Sequence, residues 1–360
     1  MARVPRTLLL GIAVLANLAV GRLITPKDTT FPTPSWNLLP TGSTARFRGL
    51  APVSAKIAWV SGTNNTILHT VDGGHTWASV GPTLSATDTD TDTPLEFRDI
   101  EAWSADRAIA LSIGAGTSSR IYATSNGGTS WDLAFANADP AAFYDCIAFA
   151  SAERGMAVSD PVDGKFRLVE TRDGGRSWDV VDPAGMPPAL GGEAGFAASG
   201  TCLATAGGRW YLASGGVDPG RVFRSGDGYH WEVSNASVAG GEGAGVFSVQ
   251  FRDAENGIAV GGNYSAPAGN VDNAAWSSDG GQTWVPSTTF PGGYRSGSSW
   301  VPGRCGVALA VGPTGSDITL DSGRNWHVFD NGSFDSVECI SGDVCWASGE
   351  NGRVARLSLI

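Results

Sequence analysis

Three arginines, Arg48, Arg98 and Arg295, each follow an aromatic residue (Phe47, Phe97 and Tyr294) that opens an apolar stretch, and the matching place after Phe334 holds Asp335. A guanidinium is planar and permanently charged, and its fork of N–H donors fits a carboxylate. Arginines gathered at one place therefore suit an acidic ligand or the carboxyl end of a protein. They equally suit an internal ion-pair network with Asp99, Glu101, Asp145 or Glu193. Other reactive types are sparse. The four histidines are His69, His75, His230 and His327, no Cys-x-x-Cys pair occurs, and a zinc site is not expected. Asp88, Asp90 and Asp92 alternate in ATDTDTDTP (86–94) but lack the central Gly and bidentate Glu of a calcium loop. No Gly-x-Gly-x-x-Gly joins a strand to a helix, which argues against a nucleotide-dependent oxidoreductase. No catalytic residue, metal or cofactor is assigned.

The elements that must carry these side chains repeat. Trp36, Trp77, Trp131, Trp178, Trp231, Trp284 and Trp326 recur at intervals of 41, 54, 47, 53, 53 and 42 residues, the spacing of one supersecondary unit used seven times. The last six close a common turn: TVDGGHTW (70–77), TSNGGTSW (124–131), TRDGGRSW (171–178), SGDGYHW (225–231), SSDGGQTW (277–284) and TLDSGRNW (319–326). In it, Asp72, Asn126, Asp173, Asp227, Asp279 and Asp321 can accept backbone N–H bonds from their own turn while glycine permits positive φ. The Trp then wedges between neighbouring sheets. These are structural residues; Asn126 makes the same local bonds but is a poor cation ligand. Before each turn lies a β-branched stretch such as KIAWVSG (56–62) or CGVALAVG (305–312), and before that the aromatic-led strand, which makes four strands per repeat and a β-propeller blade.

The chain ends set the number of blades at seven. The last repeat stops after GENGRVARL, where a fourth strand is due, and SWNLLPT (35–41) supplies that strand at the other end. Pairing the two closes the ring and removes a bare sheet edge. The expected organisation is a signal peptide over 1–21, a linker over 22–34 and one all-β propeller over 35–360. The leader carries Arg3 and Arg6, a 13-residue apolar run from Leu8 to Val20, and Ala19 and Gly21 at a cleavage site. That run is shorter than the roughly 20 residues of a membrane-spanning helix. Export is expected, with no membrane span in the mature chain. The net charge of −11, or −13 once the leader is removed (22 basic residues against 35 acidic), argues against nucleic acid. Among the five cysteines, Cys339 and Cys345 flank the turn Ser341-Gly342-Asp343 and suit a hairpin disulfide, and an odd count leaves a thiol over.

The turns, together with RFRGL (46–50), EFRDIEA (96–102), SDPVDGKF (159–166), EAGFAASGTC (193–202), RVFRSGDG (221–228), FRDAENGIAVGGNY (251–264) and GYRS (293–296), resemble the Asp-box (BNR) repeat propellers related to the photosystem II stability and assembly factors. The resemblance implies an exported or lumenal seven-bladed propeller that acts by holding a protein partner. Arg48, Arg98, Arg295 and Asp335 are then the expected binding arc near the axis, with the longer loops 83–96, 181–195 and 232–246 beside it, on a monomer. A second reading is a glycan-active or glycan-binding propeller. Sialidases also place three arginines around a carboxylate, and Tyr144 and Glu193 are present, though the arginine-bearing start of that family is not. For that reading Trp210, Trp276 and Trp300, outside the repeated Trp position, are the residues to inspect.

Overall fold

The computed structural model describes Met1 and residues 34–84 and 94–358. The expected signal peptide, nearly all of the linker and the Asp88–Asp90–Asp92 run lie outside the described residues. Residues from Pro34 onward form one compact unit. Among the described residues, no helix is long and apolar enough to cross a membrane.

Seven four-stranded antiparallel sheets follow one another along the chain as the blades of a β-propeller. The first and usually innermost strands are Phe47–Pro52, Glu96–Ala102, Tyr144–Phe149, Leu203–Ala206, Ala244–Phe251, Gly297–Trp300 and Ser336–Ser341 for blades 1 to 7. In blades 1 to 6 the four strands are consecutive. Blade 7 takes its outer strand from the start of the chain: Ser35–Leu39 pairs antiparallel with Val354–Ser358, and Trp36 stands opposite Leu357. The last strand thereby gains a partner along an edge that would otherwise carry unpaired N–H and C=O groups.

The aspartate turns hold the outer hairpins. Asp72 Oδ1 accepts the Thr76 N–H (2.9 Å) and the Thr70 hydroxyl (2.9 Å), Oδ2 accepts the Thr76 hydroxyl (2.6 Å), and Thr70 Oγ1 takes the Gly74 N–H (3.0 Å). Gly73 and Gly74 sit at φ +82° and +88°, a region that a side chain rarely adopts. Asp173, Asp279 and Asp321 repeat this set, Asn126 makes it with its Nδ2 donating to the Ser130 hydroxyl, and Asp227 makes a version one residue shorter. The following tryptophans pack against the preceding blade. Trp131 meets Trp59 edge-on and donates to Val80 O at 2.6 Å, Trp77 meets Trp346 edge-on, and Trp178, Trp231, Trp284 and Trp326 are buried. Each buried aromatic contributes roughly 1.5–3 kcal/mol of apolar transfer.

Between blades, arginines that begin the second strands add a clasp that the turn pattern does not announce. Arg107 donates to the carbonyls of Ala152 and Gly174, Arg154 to that of Asp227 (2.5 Å), and Arg209 to that of Ala254 (3.3 Å). Two disulfides are present. Cys339–Cys345 spans the hairpin of blade 7, and Cys146–Cys202, between cysteines 56 residues apart, ties the first strand of blade 3 to the segment entering blade 4. Cys305 is free and exposed.

Candidate functional site

The innermost strands are not regular. In blade 1 the ladder with the second strand skips between Phe47 and Gly49, which leaves Arg48 as the bulged residue. The same break leaves Arg98 in blade 2, Asp145 in blade 3 and Phe247 in blade 5. A bulge re-aims one side chain out of the sheet's alternation, so in these four blades one variable residue leaves the alternation beside the axis. Register rather than the preceding aromatic identifies that residue. Gly49 pairs with Ser61 just before Gly62, and Gly297 pairs with Val311 just before Gly312. A Cβ on Gly62 would strike the carbonyl of Arg46, and a Cβ on Gly312 that of Tyr294. Tyr294 is therefore the counterpart of Arg46, Arg295 that of Phe47, and Ser296 that of Arg48.

Arg295 accordingly does not join the expected arc. It is fully buried and donates to Asp317 Oδ2 (2.5 Å), to Tyr294 O (3.0 Å) and to Thr314 Oγ1 (2.9 Å), while Asp317 Oδ1 takes the Gly292 N–H (3.0 Å). Its side chain stands in an aromatic's place and is neutralised inside blade 6.

Arg48, Arg98 and Asp335 do come together, and Arg46 joins them. Arg46 grips Asp335 with both ends of its fork, Nε to Oδ2 at 2.8 Å and Nη2 to Oδ1 at 2.6 Å. Arg48 Nε is 3.9 Å from Asp335 Oδ1, too long for a hydrogen bond, and that buried nitrogen has no hydrogen-bond partner among the described residues. Arg98 Nη1 donates to the carbonyl of Ala197 (3.2 Å). Burial, and next the Arg48 charge, pull the Arg98 guanidinium down to about 10. Burial and then Arg46 lower that of Arg48. Among the described residues these three cations thus have one carboxylate within ion-pair distance, whose two oxygens both go to Arg46, while the Glu96 and Glu350 charges act from farther off and Arg48 and Arg98 repel each other. Asp145 adds little countercharge: burial first, then Asp160, raises its carboxyl well above the ordinary range, and burial pushes Asp160 to about 6.

Behind this basic mouth the axis holds a polar cavity of about 240 Å³ lined by Asp99, Glu101, Gln250, Ser299 and Glu338 among others. Asp99 accepts the N–H groups of Ile100 (2.8 Å) and Ile147 (2.7 Å). Burial raises its carboxyl to about 7, burial and then Asp99 raise Glu338 to about 8, and burial followed by Glu338 raises Glu101. Burial therefore favours the neutral forms of the channel acids, and among the described residues neither Asp99 nor Glu101 forms an ion pair with the mouth arginines.

The glycan-directed residues lie elsewhere. Tyr144 is packed in the core between blades 2 and 3, and Glu193 is engaged by Arg221 and by the Ser214 hydroxyl (2.6 Å). Trp210 and Trp300 are buried, and Trp276 lies under the Arg324 guanidinium, 4.0 Å from its ring centre. These three indoles do not form an open aromatic platform.

No family model matches the chain, and no curated protein matches it. Solved structures do. One described as YCF48 bound to a D1 peptide superposes with a TM-score of 0.61 at 16% identity, covering 89% of this chain and 96% of that one. YCF48 from Cyanidioschyzon merolae gives 0.61 at 13% identity, covering 90% and 99%. The WD40 β-propeller domain of Doa1 gives 0.56 at 9%, covering 91% and 97%. At these identities the likeness establishes the seven-bladed fold, which hosts many unrelated functions.

Proposed function

We propose that this is an exported, non-catalytic propeller of the Asp-box type, related to the photosystem II assembly factors, that holds a partner protein by an acidic segment or carboxyl end at the mouth of its axis. The observation that carries this reading is the charge imbalance there: among the described residues Asp335 is the one carboxylate within ion-pair distance of Arg46, Arg48 or Arg98, Glu96 and Glu350 act on them only at longer range, and Arg48 Nε keeps an unused donor. A carboxylate placed between Arg48 and Arg98 would relieve their repulsion and occupy free donors, and charge-assisted hydrogen bonds of this kind contribute about 1.5–3 kcal/mol each. The neighbouring structure bound to a D1 peptide supports the choice of a peptide as ligand. Two disulfides suit an oxidising compartment, in line with the leader.

The test uses the mature protein and a fluorescein-labelled pentapeptide, Gly-Ser-Gly-Phe-Asp, with a free or an amidated end. The free acid should bind more tightly, the affinity should fall with salt, and Arg98→Ala should weaken binding about 10-fold or more. Equal binding by the R98A protein, or turnover in a parallel glycoside screen that is lost on changing Arg98, would reverse the assignment.

A further inference from the structure

The bulge position that carries Arg48 in blade 1 and Arg98 in blade 2 carries Phe247 in blade 5. Its ring is stacked on Phe196 (centroids 3.8 Å apart, planes at 6°) and meets Tyr294 (4.7 Å) and Tyr264 (6.4 Å) edge-on. Tyr264 is 56% exposed, while Phe247 and Tyr294 are buried behind it. The exposed ring has a fixed seat. Gly243 has φ +69°, the Tyr264 N–H bonds its carbonyl at 3.2 Å, and a Cβ on Gly243 would come within 3.0 Å of the ring. A held aromatic loses little conformational freedom when it binds.

This aromatic group is continuous with the arginines. Arg98 donates to Ala197, the residue after Phe196, and the Tyr294 phenol is close enough to Arg48 and Arg46 to feel both charges. Blades 1 and 2 thus supply a cationic wall, and blades 4, 5 and 6 an aromatic wall.

We propose that the mouth selects an acidic chain end that carries a bulky apolar side chain next to its carboxylate, with Arg48 and Arg98 taking the carboxylate and Tyr264 and the half-buried Phe196 taking the side chain, backed by Phe247. This rests on the peptide-binding reading above and adds the specificity to it. The charge of the arginine wall excludes a purely apolar occupant, since burying those guanidinium groups without a counter-charge would be costly. The aromatic wall disfavours a bare anion, which would leave an apolar surface beside it in water.

Two labelled peptides with free carboxyl ends separate the claims: Gly-Ser-Gly-Phe-Asp and Gly-Ser-Gly-Gly-Asp. The native protein should bind the first about 3- to 10-fold more tightly, the range expected for one aromatic contact. Tyr264→Ala, a change at an exposed side chain, should erase that preference and leave the glycine peptide's affinity unchanged. Arg98→Ala should weaken both peptides alike. Equal affinity for the two peptides in the native protein overturns the aromatic-wall proposal and leaves the arginine reading standing. So does a preference that survives both Tyr264→Ala and Phe196→Ala. Failure of both peptides to bind overturns the two readings together.

Discussion

Arg295 and Asp317 have side chains with no solvent exposure, so replacing Arg295 with methionine should leave a carboxylate inside blade 6 with the Gly292 N–H as its remaining partner. Breaking a buried pair from one side costs about 3–5 kcal/mol, because the surviving charge has lost both water and its counter-ion. The native pair is itself imperfect, since Arg295 Nη2 has no hydrogen-bond partner among the described residues. Replacing both members with apolar residues, Arg295→Met with Asp317→Leu, should therefore recover most of the loss. Urea titration followed by tryptophan fluorescence measures the three proteins. If refolding is incomplete, unfolding rates at a fixed urea concentration rank them instead. The same samples are then tested with the acidic peptide, which the folded single variant should still bind. An Arg295→Met protein as stable as the native one, yet unable to bind the peptide, would refute the reassignment and return Arg295 to the mouth.

Two further predictions concern the interior. Glu338 is protonated in the folded protein up to about pH 8. The unfolded chain releases that proton near pH 4, so its contribution makes stability fall as pH rises between those values. Glu338→Gln should therefore stabilise the protein at pH 8 more than at pH 5, with about 1.4 kcal/mol for each pKa unit removed. A variant less stable than native at pH 8 would contradict this. The two disulfides should differ in weight. On loop entropy alone, removing Cys146–Cys202, whose cysteines are 56 apart in sequence, costs about 4 kcal/mol, and removing Cys339–Cys345, 6 apart, about 2. Urea midpoints of Cys146→Ser with Cys202→Ser, against Cys339→Ser with Cys345→Ser, check that order.

What could be read from the chain follows the range of the interactions involved. The aspartate turns are settled within eight residues by their own hydrogen bonds, so their number and spacing stand out directly. The N-terminal strand was legible because a repeat with its fourth strand missing leaves one place for SWNLLPT to go. Cys146–Cys202 was not, because it depends on how adjacent blades face each other. The mouth was misread for a more instructive reason. Alignment on the leading aromatic assumes that every blade spends the same number of residues before its bulge, and three do not. Tyr144 rather than Phe143 holds the aromatic place in blade 3, Phe247 is itself the bulged residue in blade 5, and Arg295 replaces the aromatic in blade 6.

A better marker is the glycine opposite that position. Gly62, Gly261 and Gly312 all sit where a Cβ would strike the facing backbone, at Arg46, Gly245 and Tyr294 respectively. Counting forward two residues from each contacted carbonyl gives Arg48, Phe247 and Ser296, the residues at the equivalent position. The marker serves blades 1, 5 and 6; in blades 2 and 3 the same register position holds Ser112 and Ser159, opposite Phe97 and Tyr144. A rigid ring can change its ligand by altering about one residue per blade. On this chain blades 1 and 2 place arginines there and blade 5 a phenylalanine, while blade 3 places Asp145 and blade 6 Ser296.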